Sequence, residues 1–281
     1  MSNGLTTIGS ALPPGTGVCV INLDSRTDRW QTFEHDITPR LAPCEVHRIS
    51  ATLGTALPGF GEKPYFHGRK RDRTWAARGG CTLSHRAALL HSKASGWNHV
   101  LVLEDDIVLS GPPPAELRET LASTPFDVCY LGFTDPVPPY RQLANLGGEH
   151  SLHQVFGCNT AHAYLLTARA VDWILDRLPE PPAIWKWLTR HRAVDRFYYR
   201  YLSPTLIVTA VSPAIIQQTA GFSDIIGREV SAYRENHLTT VPAANPDPAT
   251  YQSELAKQAR VFRNSARLDA LRGFWKSMRG F

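Results

Sequence analysis

The chain has 281 residues, of which 43% are apolar and 20% are charged, and its net charge at pH 7 is +5. This composition is typical of a globular protein and excludes wholesale disorder, a collagen-like repeat and a coiled coil. No stretch reaches the roughly 20 apolar residues that a spanning helix needs. The first residues lack the features of a signal peptide. Five cysteines without CxxC spacing indicate a reducing compartment, so we predict a cytoplasmic protein.

The positive charge is concentrated at the end of the chain. Residues 251–281 contain seven Lys or Arg and two acidic residues, which accounts for the entire net charge. Residues 1–250 are therefore neutral overall, which argues against nucleic acid as a partner. We predict a linker and basic amphipathic tail over 241–281, helical from residue 254. Its Trp, Phe and basic residues suit a peripheral contact with an anionic membrane surface. A helix packed back on the body, or a solvated one, is the alternative.

Short apolar runs alternate with helix-like segments along the rest of the chain. The predicted strands lie at 17–23, 46–49, 100–103, 107–109, 126–131, 162–166 and 206–211. The predicted helices lie at 30–36, 82–94, 115–122, 168–178 and 194–201. We expect a disordered or loosely packed N-terminus over 1–16 and a long arginine-rich loop over 53–78. This alternation predicts an α/β fold over 17–240, with a mainly parallel sheet flanked by helices. Ligands of such sheets bind at the carboxyl ends of the strands.

The most informative segment is the acidic triplet Glu104, Asp105 and Asp106 at the end of a predicted strand. Three adjacent carboxylates repel one another unless a cation or several donors offset them. In an extended chain Glu104 and Asp106 share one face, and Asp105 lies on the other. Paired carboxylates suit Mg²⁺ or Mn²⁺, and such a cation can bridge a nucleotide diphosphate. A solvated acidic turn is the alternative.

Two further segments could contact a nucleotide. After the first strand, Asn22 and Asp24 could bind a base or ribose, and Arg26 or Arg29 a phosphate. An ordinary turn with exposed arginines is the alternative at that position. The second segment is Arg78–Arg86, in which Gly79 and Gly80 precede the predicted helix at 82–94. Backbone amides at a helix start favour an anion. The adjacent Ser84 and His85 are then donor-binding candidates, although a histidine there is more often structural.

These segments, in this order and spacing, resemble glycosyltransferase family 25, which includes bacterial lipooligosaccharide galactosyltransferases. The resemblance covers about residues 17–226. The matching segments are VINLDSRTDRW from residue 20, Arg48–Ala51, Gly80–His85, Leu103–Asp106, Ala193–Asp195 and Gln217 through Ser223-Asp224-Ile225.

The resemblance implies a GT-A-like, Rossmann-type fold and an inverting transfer, with galactose as the expected sugar. The donor would be a UDP-sugar, the cofactor Mn²⁺ or Mg²⁺, and the acceptor a glycan hydroxyl in lipopolysaccharide or cell-surface polysaccharide synthesis. A lipid-linked acceptor would fit a membrane contact of the basic tail. Asp106 and Glu104 are then the metal ligands, and Glu104 or Asp105 binds ribose or a metal-bound water. Asp195 is the candidate general base and Asp224 its competitor, while Gln217 and Ser223 orient groups on the acceptor side. The literal DxD pattern is absent, which leaves open which carboxylate contacts the metal.

Two other functions remain compatible with the sequence. A nucleotidyl- or phosphotransferase could use the same metal site, and would transfer or hydrolyse nucleotide without a sugar acceptor. A non-catalytic module would bind UDP or carbohydrate without turnover. The absence of a P-loop disfavours the first, and the complete acidic triplet disfavours the second. For Asp195 the alternative is an ordinary aspartate at the start of a helix.

Overall fold

The computed structural model describes residues 7–219, 221–223, 228–230 and 239–279. Strands and helices alternate, with a long helix at the end of the described chain. The strands are β1 Thr16–Asn22, β2 Glu45–Ser50, β3 His99–Glu104, β4 Ile107–Leu109, β5 Val128–Gly132, β6 Pro136–Gly147, β7 His150–Cys158, β8 Ala163–Thr167, β9 Val208–Ser212, β10 Ile216–Gln218, β11 Gly221–Ser223 and β12 Arg228–Val230. The helices are α1 Thr27–Asp36, α2 Lys70–Ala94, α3 Leu117–Ser123, α4 Ala168–Leu175, α5 Ile184–His191, α6 Val194–Tyr201 and α7 Pro248–Arg279.

A sheet of eight strands forms the centre of the molecule, in the order β2-β1-β3-β8-β5-β9-β7-β6. β1 pairs in parallel with β2 and β3, and β5 with β9, whereas the pairs that involve β7 or β8 are antiparallel. The sheet therefore runs mostly in one direction, with β7 and β8 reversed. This confirms the predicted α/β class. The parallel character is only partial, because β7 and β8 run antiparallel to their neighbours. The β6–β7 hairpin was not among the predicted elements.

The prolines of β6 explain why no strand was predicted for this segment. Pro136, Pro138 and Pro139 cannot donate to a ladder, and such strands are restricted to sheet edges, which is where β6 lies. Gly147 and Gly148 join β6 to β7 with positive φ angles of 87° and 61°. A Gly-Gly pair between two extended runs is a hairpin signal.

Strand β3 shows why the sheet is buried on both faces. Val100 and Val102 belong to one apolar cluster, and Leu101 and Leu103 to a second cluster. All four are fully buried. Since side chains alternate between the faces of a strand, an uninterrupted apolar run fills two cores at once. The polar Glu104, which is partly exposed, lies at the end of this buried strand.

Helix α2 begins at Lys70, twelve residues before the predicted start. Asp72 stabilises that start, because its carboxylate accepts the backbone N–H groups of His67 and Arg69, each at 3.0 Å. Gly79 and Gly80 therefore lie inside the helix, and the prediction of an anion-binding helix start at these glycines is wrong. Gly80 serves close packing instead, since a Cβ there would lie 2.2 Å from the carbonyl oxygen of Thr52.

Both ends of the described chain pack on the body. Ile8 and Leu12 are fully buried, so the expectation of a loose N-terminus does not hold for residues 7–16. The start of the predicted linker also packs on the body, since Val241 is buried and its backbone N–H donates to Oγ of Ser212 at 2.8 Å. Along α7, Ala259 and Ala266 are buried. Within the described residues, no helix has both the length and the apolar character to cross a bilayer.

Candidate functional site

An open cleft of about 180 Å³ lies where the carboxyl ends of β1 and β3 meet α2. Its volume is below the roughly 300–1,000 Å³ that is usual for small-molecule sites. Its location is the one expected for a ligand of a parallel sheet. The lining residues come from five separate parts of the chain: Ile21, Leu23, Arg29, Ala51, Thr52, Leu53, Gly54, Ala77, Cys81, Ser84, His85, Glu104, Asp105, Asp106 and Gln218.

Two of the three acidic side chains converge on one amide group. Glu104 is the last residue of β3, and Asp106 follows in the bend before β4. Nε2 of Gln218 donates to Oε2 of Glu104 at 3.1 Å and lies 3.4 Å from Oδ1 of Asp106. Both carboxylates line the cleft. The alternation of side chains along the segment thus places Glu104 and Asp106 together.

Asp105 is directed toward the end of β1. Its carboxylate accepts a hydrogen bond from Nδ2 of Asn22 at 2.5 Å and one from Nη1 of Arg29 at 2.9 Å. The same Nη1 lies 3.4 Å from Oδ2 of Asp106. One arginine therefore contacts two of the three carboxylates.

The carboxylates have perturbed pKa values. Burial raises the pKa of Asp106 to about 7, and the charge of Glu104 adds to this rise. Burial also raises the pKa of Asp105, despite its hydrogen bonds with Asn22 and Arg29. Burial acts in the same direction on Glu104, but the adjacent imidazole of His85 outweighs it, so the pKa of Glu104 is lowered. Glu104 is thus favoured in its ionised form, whereas ionisation of the neighbouring Asp106 is disfavoured. A cation between them would stabilise both carboxylates.

This arrangement fits the hard divalent cation that the resemblance implies. Mg²⁺ and Mn²⁺ prefer carboxylate, carbonyl and water oxygens. Glu104 and Asp106 offer carboxylate oxygens on the same side of an open cleft. The amide oxygen of Gln218 is a third oxygen nearby, on the group whose nitrogen already contacts both acids. The residues present could therefore hold such an ion.

His85 is fully buried beneath the acidic pair. Its Nδ1 lies 2.7 Å from the hydroxyl of Tyr164, and its Nε2 lies 3.5 Å from Oε1 of Glu104. The hydroxyls of Tyr164 and Tyr198 are 3.4 Å apart. Burial lies behind the raised pKa of each tyrosine. This chain of polar groups connects the cleft to the interior of the sheet.

Several predicted donor-binding residues support the site from outside the cleft. Asn22 is buried, donates to the carbonyl of Arg26 at 3.2 Å and accepts from Arg48 at 2.5 Å, in addition to holding Asp105. Its polar atoms are thus already used within the protein. Asp24 is exposed and accepts from Oγ of Ser50 at 2.8 Å. Neither Asn22 nor Asp24 lines the cleft, which corrects the expectation that they contact the donor.

Two more predicted residues occupy other positions than expected. Gly80 packs against the 52–54 segment, while its neighbour Ser84 lines the cleft and accepts from the backbone N–H of Thr52 at 2.8 Å. Gln217 pairs with Val108 between β10 and β4, and the adjacent Gln218 lines the cleft instead. The sequence analysis predicted Gln217 as the site residue, but its neighbour Gln218 is the one that lines the cleft.

The candidate bases are less directly placed. Asp195 lies in the first turn of α6, is half-buried and does not line the cleft. Burial, followed by the charges of Glu104, Asp195 and Asp106, raises the pKa of the Cys81 thiol well above its usual value. The charge of Asp195 therefore acts at the wall of the cleft. Asp224 lies outside the described residues, and Ser223 is described only as part of β11.

Cys81 and Gln218 are the site residues that sequence reasoning missed. Cys81 is four residues before His85, so the two share one face of α2. Thiol, imidazole and carboxylate atoms of Cys81, His85 and Glu104 all lie within 4.8 Å of one another. The helical spacing of Cys81 and His85 was readable from the sequence. Their proximity to Glu104 at the end of β3 was not.

Fold and site together define an α/β protein with an acidic cleft at the carboxyl ends of its parallel strands. No protein-family model matches the chain. No curated protein matches it either. Among solved structures it is similar to one titled "Crystal Structure of A197 from STIV", with a TM-score of 0.37 and 10% sequence identity. That alignment covers 82% of this chain and 99% of the other chain.

Proposed function

We propose that the protein is an inverting, metal-dependent glycosyltransferase that moves a sugar, with galactose as the expected one, from a UDP-sugar to a hydroxyl of a glycan. The observation that carries the proposal is the convergence of Glu104 and Asp106 on one side of the cleft. The ordered motifs that resemble glycosyltransferase family 25 supply the reaction class. The fold finer than α/β, namely the GT-A type, is part of the same proposal.

The residues of the chain have separate tasks in this proposal. Glu104 and Asp106 bind the cation, and Gln218 keeps their carboxylates at a common position. A cation at this position stabilises negative charge on a leaving diphosphate. Asn22 and Arg29 hold Asp105, which is thereby fixed beside the cleft for a ribose or a metal-bound water.

The transfer itself is one in-line displacement. The acceptor oxygen forms a bond to the anomeric carbon as the bond from that carbon to the diphosphate oxygen breaks. The acceptor proton passes to a carboxylate base, a contribution of typically 10²–10⁴-fold. Asp195 is the proposed base because the segment Ala193–Asp195 resembles a family motif at a helix start, and Asp224 remains the competing candidate.

A donor screen tests this function. UDP-sugars are incubated with Mn²⁺ and the full chain, with and without a glycan acceptor, and UDP release is measured. We expect acceptor-dependent release that Asp106→Asn lowers by at least about 100-fold. Asp24→Asn, the same change at an exposed position outside the cleft, should leave the rate unchanged. Full activity of Asp106→Asn would remove Asp106 from the proposed site.

The same screen separates the two alternatives. A nucleotidyl- or phosphotransferase would consume nucleotide without any need for a sugar acceptor. A non-catalytic module would bind UDP with Mn²⁺ and release no product. Either result would replace the transferase proposal.

We propose further that α7 contacts an anionic membrane surface, where a lipid-linked acceptor would be found. Val261, Leu268 and Leu271 are each more than half exposed, and spacings of seven and three place them on one helical face. Ala259 and Ala266 on the opposite face are buried in the body. Arg260 and four further basic residues, Lys257, Arg263, Arg267 and Arg272, are also exposed along this helix.

Point variants test this contact better than removal of the helix, because α7 contributes buried residues to the fold. We expect the wild-type chain to sediment with phosphatidylglycerol vesicles and not with phosphatidylcholine vesicles. The double variant Leu268→Ser, Leu271→Ser should sediment less, while Leu90→Ser, at an exposed position on α2, serves as the control. Equal sedimentation of both variants would contradict the membrane contact.

A further inference from the structure

We propose that Cys81, His85 and Glu104 form a second, softer metal site in the wall of the cleft, suited to Zn²⁺. Their ligand atoms all lie within 4.8 Å of one another. Bond lengths of about 2.0–2.3 Å around a tetrahedral zinc ion separate neighbouring ligand atoms by roughly 3.3–3.8 Å. Nε2 of His85 and Oε1 of Glu104, 3.5 Å apart, are already at such a separation.

The buried imidazole supplies the second observation. His85 is fully buried, and its Nε2 has no hydrogen-bond partner among the residues that the structure describes. That nitrogen lies 3.5 Å from Oε1 of Glu104, while Nδ1 lies 2.7 Å from the hydroxyl of Tyr164. Histidine ligands of metals characteristically have their other nitrogen fixed by a hydrogen bond. The geometry thus presents one ring nitrogen to an ion and anchors the other.

The proton balance of binding is simple. The thiol of Cys81 loses its proton to solvent as the bond between sulfur and the metal forms. His85 binds through the lone pair of Nε2, so its proton resides on Nδ1 and is donated to the hydroxyl of Tyr164. Tyr164 in turn can donate to Tyr198, whose hydroxyl is 3.4 Å away. One thiolate and one carboxylate neutralise a divalent ion, which suits a half-buried position.

The ligand set distinguishes this site from the carboxylate pair. Thiolate and imidazole favour Zn²⁺ and Co²⁺, whereas carboxylate and water oxygens favour Mg²⁺ and Mn²⁺. Three protein ligands leave the fourth position of a tetrahedral ion open to the cleft. Glu104 belongs to both sites, so the two ions compete for it. As a consequence that rests on the proposed function, Zn²⁺ should raise the Mn²⁺ concentration required for sugar transfer.

Cobalt binding tests the site independently of catalysis. Co²⁺ is titrated into the full chain under reducing conditions, and the absorption of thiolate-to-cobalt charge transfer is recorded. We expect saturation at one ion per chain. His85→Gln should weaken binding at least 10-fold, and Cys81→Ser should abolish the charge-transfer absorption.

Two variants serve as controls. Asp106→Asn should keep the charge-transfer absorption, because Asp106 belongs only to the carboxylate pair. If this variant lost the absorption, the proposal of two distinct sites would be wrong. Cys44→Ser should also keep it, since Cys44 lines a different pocket. Circular dichroism verifies that each variant is folded. A wild-type chain without saturable absorption, or a folded Cys81→Ser variant that retains it, would overturn the proposal whether or not sugar transfer is found.

Discussion

The side-chain amide of Asn22 donates to Oδ2 of Asp105 at 2.5 Å and thereby ties the end of β1 to the acidic segment after β3. These residues are 83 positions apart in the sequence. Asn22 itself is buried, and Arg48 and the carbonyl of Arg26 contact the other polar atoms of the same amide. Asn22 is therefore a structural support for the cleft.

The first prediction follows from this contact. Asn22→Asp keeps the shape of the side chain but replaces its donor with an oxygen that faces Asp105. We expect a loss of about 2–3 kcal/mol in the free energy of unfolding, because two buried hydrogen bonds are lost and like charges are opposed. Urea unfolding measures it. Asp24→Asn, a change at an exposed position in the same turn, should alter the free energy of unfolding by less than about 0.5 kcal/mol. Equal effects of the two variants would contradict the structural role of Asn22.

The second prediction concerns the packing of α2 on the 52–54 segment. Gly80→Ala would place a Cβ 2.2 Å from the carbonyl oxygen of Thr52 and 2.8 Å from the backbone nitrogen of Gly54. Helix propensity alone would favour alanine by up to about 1 kcal/mol. We expect the backbone clash to dominate and to cost about 1–3 kcal/mol, measured by urea unfolding. A stabilised variant would show that the contact is not close in solution.

The third prediction is a pH dependence of stability from His191. This residue is buried with its ring centroid 4.4 Å from that of Trp187 and 5.2 Å from that of Phe197. Burial, aided by the charges of Arg190 and Arg200, lowers its pKa from 6.5 to about 3. Below pH 6.5 the unfolded chain binds a proton that the folded chain does not, so stability falls as the pH falls toward 3.

The measurement compares wild type with His191→Phe, a ring of similar size among aromatic neighbours. Between pH 6.5 and pH 4 the wild type should lose about 3 kcal/mol more than the variant, at about 1.4 kcal/mol for each pH unit. The other buried histidines are present in both proteins, so the difference reports on His191. Parallel stability curves would show that this histidine is protonated in the folded protein.

The fourth prediction concerns the attachment of α7. Asp269 accepts hydrogen bonds from Arg192 at 2.8 Å and from Arg200 at 3.2 Å, and the side chains of Asp269 and Arg200 are both buried. Asp269→Ala would leave the charge of Arg200 buried without its partner. We expect a cost of about 3–5 kcal/mol by urea unfolding.

An exposed ion pair provides the control for Asp269. Asp172 accepts from Nζ of Lys93 at 2.6 Å, and both side chains are more than half exposed. Asp172→Ala should cost no more than about 1 kcal/mol. A similarly small cost for Asp269→Ala would mean that α7 is only loosely held.

How far the site could be anticipated depends on the range of the interactions. Glu104, Asp105 and Asp106 were found because they interrupt an apolar strand, a pattern that lies within a few residues. Gln218 was missed because a one-residue register decides which side chain of β10 points into the cleft. The start of α2 was misplaced because glycine normally ends helices, and the close approach of Thr52 that requires Gly80 is a tertiary contact.

The sequence by itself determined the alternation of strands and helices, the double-sided burial of β3 and the presence of an acidic triplet at its end. Periodicity and polarity are local properties, and they act before any distant segment is in place. Only the tertiary structure decided that Cys81 and His85 face Glu104, that β6 and β7 extend the sheet, and that α7 packs on the body through Asp269. Those arrangements depend on contacts between residues far apart in the chain, whose partners no local pattern specifies.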